Sequence, residues 1–147
     1  MHWVDFLQNE KFTHALTIKP NFKHSLNSKL LQSLFVKIYV RIQRRALGPR
    51  FNSASKRELQ FPAFAIIEGL PYSGHLHAAF KVPENCRNMF ESMFEAEAVE
   101  HNTLSRLLPG GTWCVKPIDQ SQAWYNYSFK QIWNNDQTDR IQILPMR

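Results

Sequence analysis

Two short apolar runs, Phe61-Pro62-Ala63-Phe64-Ala65-Ile66-Ile67-Glu68 and His75-Leu76-His77-Ala78-Ala79-Phe80-Lys81-Val82, are separated only by Gly69-Leu70-Pro71-Tyr72-Ser73-Gly74. Runs of this length, rich in aromatic and branched residues and bounded by glycine and proline, read as strands, and so short a link pairs them as an antiparallel hairpin. Pro62 is tolerated because it stands near the start of the first strand. The hairpin also has a chemical consequence. Side chains alternate faces along a strand, so His75 and His77 point the same way. Glu68, at the end of the first strand, can then lie opposite one or other histidine on that face, depending on the register.

Two imidazoles by themselves make a weak metal site, and Glu68 is the candidate third ligand. A mixed set of imidazole and carboxylate donors with open positions suits Mg²⁺ or Mn²⁺ polarising a phosphate, and can also hold zinc. No cysteine is placed to favour zinc.

The rest of the chain supplies elements to pack around this hairpin. Phe12-Thr13-His14-Ala15-Leu16-Thr17-Ile18 predicts a first strand that stops at Lys19-Pro20-Asn21. From Ser25, read as an N-cap, Leu26, Leu30, Leu34, Ile38, Ile42 and Ala46 recur every four positions, widened by Leu31 and Phe35, and predict a helix ended by Gly48-Pro49. Off that stripe, Lys37, Arg41 and Arg45 share the four-residue spacing, joined by Arg44, with Arg50, Lys56 and Arg57 following in a loop. Such a face is either simply solvated or contacts phosphates, which would make these DNA-binding residues.

Pro83 opens a second expected helix, with Phe90, Met93, Phe94, Leu104, Leu107 and Leu108 as its apolar positions and Glu91, Glu95, Glu97 and Glu100 as its polar side. Pro109-Gly110-Gly111 ends it, and Thr112–Ile118 reads as a further strand, at an edge because of Pro117. A last helix is expected from Ser121 to Trp133, while 134–147 carries no clear element and reads as a possible tail. The expected fold is therefore α+β: an antiparallel sheet with a split βαβ, ferredoxin- or RRM-like core, helices packed on it, and a C-terminal helix.

With 147 residues and 44% hydrophobic content, the chain supports a single domain spanning 1–147. A formal charge of +6 points to an anionic partner, nucleic acid before others. Cys86 and Cys114 are far apart, which excludes a disulfide scaffold, suits a reducing compartment and leaves both expected as buried thiols. The N-terminus shows no basic segment leading into an apolar run, and no stretch approaches the ~18–20 apolar residues of a membrane span. A soluble cytoplasmic protein with no membrane contact is expected.

In Tyr127-Ser128-Phe129-Lys130 the tyrosine and lysine are three apart and share one helical face, as does Gln131, four from Tyr127. A phenol can attack a phosphodiester and hold the broken strand covalently if something offsets the phosphate charge and assists the leaving oxygen. Tyr125, two residues earlier, falls nearly on the opposite side of such a helix.

Together these motifs resemble those of the HUH superfamily of rolling-circle replication initiators, relaxases and single-strand transposases, and most closely its replication initiator (Rep) endonucleases. His75-Leu76-His77 is similar to the family's histidine–hydrophobic–histidine strand, Glu68 to its upstream acid, Tyr127-Ser128-Phe129-Lys130 to its tyrosine helix, and Thr13-His14-Ala15-Leu16-Thr17, loosely, to its first strand. The resemblance implies a nickase and strand transferase for single-stranded or melted origin DNA. Tyr127 would be the nucleophile, Lys130 a charge-neutralising partner, and His75, His77 and Glu68 the holders of a divalent ion. A single-domain HUH transposase, in which Gln131 would also reach the ion, is the alternative within the family. A non-catalytic RRM-like binding module is the alternative outside it, although such modules carry aromatics where this chain has histidines. No helicase segment fits, so unwinding would come from another protein, such as a host helicase, or from the DNA itself. His14 is expected to be buried or partnered, and Trp113, Trp124 and Trp133 to pack in the core or on helices.

Overall fold

A computed structural model describes residues 9–21, 27–70, 73–95, 106–108, 110–118 and 141–145. The expected helix over 121–133, with Tyr127, Lys130 and Gln131, lies outside them, as do Ser25, Trp124 and Trp133. The described chain is α+β. Strands β1 (His14–Lys19), β2 (Ala63–Glu68), β3 (His75–Phe80), β4 (Thr112–Pro117) and β5 (Ile141–Leu144) form one sheet in the order β4-β1-β3-β2-β5, and every adjacent pair is antiparallel. The expected hairpin forms between β2 and β3, with Glu68 directly opposite His75 and Ile66 opposite His77.

Helix α1 spans Ser28–Leu47 and is capped by Asn27, whose side chain accepts from the Leu30 amide at 2.9 Å. Asn27 thus takes the capping role expected of Ser25, because its extended backbone aims its side-chain oxygen at the first free amides. The Gly48 amide closes the other end onto the Arg44 carbonyl, in a left-handed conformation that suits glycine. Leu31, Leu34, Phe35, Ile38 and Ile42 bury the apolar stripe against Leu16, Ile18, Ala65, Ile67, Leu76, Ala78 and Phe80. Phe80 is fully buried between Phe35 and Phe90, a placement contributing about 1.5–3 kcal/mol of transfer free energy.

The second helix departs from expectation. Pro83 is extended, Glu84–Cys86 form a 3₁₀ turn, and α2 covers only Arg87–Ser92. Its end is set by local competition. The Ser92 hydroxyl donates to the Met89 carbonyl at 2.7 Å, and the Phe94 and Glu95 amides reach back three residues rather than four, so the last turn tightens. Phe90, Met93 and Phe94 nevertheless bury their side chains in the core, as their spacing requires. Residues 96–105 lie outside the described set, and Arg106 and Leu107 are helical.

Strand β5 lies inside the stretch read as a possible tail, where no element is expected, and pairs along the outer edge of β2. Strand β2 is buried at every position, on both faces, including Phe64 and Ile66 on the face away from α1. The cysteines differ from expectation: Cys86 is half-buried and Cys114, on edge strand β4, is exposed. Among the described residues no helix is long and apolar enough to cross a membrane.

Candidate metal centre

Strand alternation divides β3 cleanly. Leu76, Ala78 and Phe80 enter the core beneath α1, so His75 and His77 project from the opposite face. Glu68 joins them from β2, directly across from His75 and diagonal to His77. Its Oε2 lies 3.3 Å from His75 Nε2 and 3.3 Å from His77 Nε2, with the two rings nearly perpendicular and their centroids 4.9 Å apart. One donor atom from each of the three falls within 4.8 Å of the others.

The donor set fits a divalent ion. Two ligands bound at about 2.1 Å sit about 3.0–3.4 Å apart in octahedral or tetrahedral geometry, which matches both Glu68–histidine separations. The tautomer fits as well. His75 Nδ1 is 2.9 Å from the Ser73 carbonyl oxygen, an atom that can only accept, so Nδ1 carries the proton and Nε2 is left to face the site. His77 Nδ1 is in turn 3.3 Å from the Thr17 hydroxyl on β1. The imidazoles are partly exposed, with 27% and 21% of their side-chain surface accessible, so the site opens to solvent.

Burial alone would raise the Glu68 carboxyl, but hydrogen bonds from His75 and His77 and their positive charge outweigh it and hold its pKa at about 2. Glu68 is therefore ionised at neutral pH, as a ligand must be. The hydrogen bond to Glu68 raises the His75 pKa, assisted by the Ser73 carbonyl and opposed by desolvation and the Lys19 charge.

Sequence reasoning missed the parts that hold the candidate ligands. Gly69 adopts φ +75°, and a Cβ there would collide with the Ser73 carbonyl oxygen and lie 3.0 Å from His75 Nδ1. The turn is closed by the Ser73 amide and hydroxyl, both donating to the Gly69 carbonyl at 3.0 Å. Gly69 thus permits the conformation that presents the Ser73 carbonyl to His75. The glycine right after Glu68 is the sequence signal for this turn, whereas the roles of Ser73 and Thr17 depend on backbone geometry and strand register.

Other expected residues fall elsewhere. His14 is buried on the α1 face, with Nε2 2.8 Å from Glu91 Oε1, Nδ1 2.8 Å from the Thr13 hydroxyl and its ring beside Phe90. Trp113 packs against the core, and its indole N–H donates to the Phe94 carbonyl at 2.9 Å. Lys37, Arg41, Arg44 and Arg45 are exposed on α1, with the sheet between them and the histidines. The face of β1 and β3 that surrounds the histidines carries Ala15, Thr17, Lys19 and Ala79. Comparison of the chain with family models, with curated proteins and with solved structures returns no match.

Proposed function

We propose that the protein is a metal-dependent endonuclease of the HUH type that nicks single-stranded DNA and rejoins it through a covalent 5′-phosphotyrosine. The observation that carries this reading is the triad: one carboxylate oxygen 3.3 Å from two imidazole Nε2 atoms on neighbouring central strands, with one imidazole's remaining nitrogen tied to a carbonyl. The order β4-β1-β3-β2 supports the split βαβ reading of the core. On the same reading, His75, His77 and Glu68 hold Mg²⁺ or Mn²⁺, and Gln131 is a possible fourth donor.

Bound there, a divalent ion would polarise the phosphate oxygens and stabilise the charge that builds up during displacement. Tyr127 provides the nucleophile. Its phenol gives up a proton, its oxygen forms a bond to phosphorus, the bond from phosphorus to the 3′ oxygen breaks, and that oxygen takes up a proton to leave a free 3′ hydroxyl. Lys130 offsets phosphate charge near the attacking or departing oxygen. A later 3′ hydroxyl attacks the phosphotyrosine and restores both the diester and the phenol. The physiological role in this reading is initiation of rolling-circle replication of a mobile element, with a helicase or the DNA itself supplying the melted origin.

The position of the tyrosine segment in the chain supports its part in the reading. Strands β4 and β5 occupy opposite edges of the sheet, and the sequence between Ile118 and Ile141 contains Tyr127 and Lys130. Helices α1 and α2 already take the other face. The RRM-like alternative is disfavoured because Ala15, Thr17, His75, His77 and Ala79 on the central strands β1 and β3 offer no aromatic platform for base stacking, and Phe64 on the same face of β2 is buried.

The test is incubation with a single-stranded oligonucleotide and Mn²⁺, followed by a denaturing gel. The wild type yields a covalent adduct, and Tyr127→Phe yields none. No wild-type adduct with either Mn²⁺ or Mg²⁺ defeats the nuclease reading, and an adduct in Tyr127→Phe defeats the choice of nucleophile.

A further inference from the structure

The basic residues of α1 cannot line the triad. Lys37, Arg41, Arg44 and Arg45 are exposed on a helix whose buried side covers Leu76, Ala78 and Phe80, whereas His75 and His77 leave β3 on the other side. The helix and sheet layers put roughly 15 Å between these surfaces. None of the four cations forms an ion pair with a described residue, and between Ser28 and Gln60 the only acidic residue is Glu58.

The following loop extends the surface. Lys56 Nζ donates to the Leu47 carbonyl at 2.6 Å, the Tyr39 hydroxyl donates to Gln60 Oε1 at 3.3 Å, and the Gln60 amide donates to the Phe51 carbonyl at 3.1 Å. These bonds hold the loop, with exposed Arg50 and Arg57, against the helix.

We propose that the outer face of α1 and this loop form a second DNA-binding surface, for the backbone of a duplex, on the far side of the sheet from the triad. From Lys37 to Arg45 the helix advances about 12 Å, the axial span of three to four phosphates on one strand of a duplex. Duplex is favoured over single strand by what the surface lacks. Single-strand sites combine cations with aromatic side chains on which bases stack. The exposed large apolar residues among those described are Leu30, Val36, Leu59 and Ile143, none aromatic, while Phe35 and Tyr39 of α1 are buried and Phe51 of the loop is half-buried. Cations without stacking partners read phosphates and not bases. DNA, in preference to RNA, rests on the proposed nicking reaction: a melted strand at the triad is continuous with a duplex arm, and this surface would grip the arm.

The experiment is fluorescence anisotropy of the full chain on a DNA duplex of about 20 base pairs, from about 50 to 200 mM salt. Replacing three phosphate-contacting cations, in R41Q/R44Q/R45Q, flattens the slope of log K against log salt by about 2.7, so that the wild type loses about 40-fold more affinity across that range than the variant. R41K/R44K/R45K keeps the charge and retains the wild-type slope, which separates charge from folding. An unaltered slope in the glutamine variant overturns the proposal. So does an equal loss of affinity for a short single strand, or a wild-type preference for duplex RNA. A wild type that binds the duplex as described but forms no covalent adduct refutes the nicking reading and leaves this surface standing.

Discussion

Glu68→Gln keeps the shape of the side chain and removes its charge, so it isolates what the carboxylate contributes. At the observed 3.3 Å, a unit negative charge attracts a unit positive charge by about 1.3 kcal/mol at the dielectric constant of water and about 5 kcal/mol at an effective value of 20. The site lies between these limits, because Glu68 is buried while both histidines are partly exposed. For a divalent ion bound at about 2.1 Å the attraction more than doubles, and the desolvation of the ion offsets part of it. A net loss of about 2.7 kcal/mol, a hundredfold in affinity, is the expected outcome. Isothermal titration with Mn²⁺ measures it directly. The same variant carries a second readout with metal chelated: the His75 ring proton followed by NMR titrates at lower pH than in the wild type, because the hydrogen bond to Glu68 is the largest cause raising that pKa. A change in Mn²⁺ affinity of less than about threefold would show that Glu68 is an ion-pair partner of the histidines and no ligand at all.

Gly69→Ala places a Cβ against the Ser73 carbonyl at a φ of +75°, and should cost about 1–3 kcal/mol of stability together with a weaker Mn²⁺ affinity; a variant with both values unchanged would remove Gly69 from the account of how His75 is held. With metal chelated, the triad also makes stability depend on pH in a defined window. Glu68 is depressed from 4.5 to about 2, so its contribution is complete above about 4.5 and disappears as pH falls towards 2. His75 is raised above 6.5, so its contribution is complete below about 6.5 and disappears as pH climbs through the raised value. Urea unfolding across pH should therefore show the triad's contribution greatest between about 4.5 and 6.5, and Glu68→Gln should flatten both limbs; identical profiles for the two proteins would contradict the assignment.

The three candidate ligands were legible because they depend on local rules. A six-residue link forces the neighbouring strands to pair, alternation puts His75 and His77 on one face, and Glu68 ends the strand that must lie beside them. The long apolar stripe of α1 was legible for a similar reason: a four-residue recurrence over five turns survives an error of a few residues at its start, such as the shift of the cap from Ser25 to Asn27. Where sequence reasoning failed, the signal was short or contested. Ile141-Gln142-Ile143-Leu144 is too brief to show a period, and it becomes a strand only because β2 offers an unpaired edge. The second helix was overextended because its apolar spacing continues past the point where Ser92 and the tightened last turn interrupt it.

The sequence by itself thus determined which residues could bind an ion and which helix face would be charged, since both follow from periodicities of two and of about four along one chain. Only the tertiary structure decided the rest. Register put Glu68 opposite His75, the fold of the Gly69 turn brought the Ser73 carbonyl to that imidazole, and packing of α1 on the Leu76 face sent its arginines to the far side of the sheet. These outcomes depend on contacts between segments distant in sequence, and a period along the chain specifies the face of an element without specifying what that face will meet.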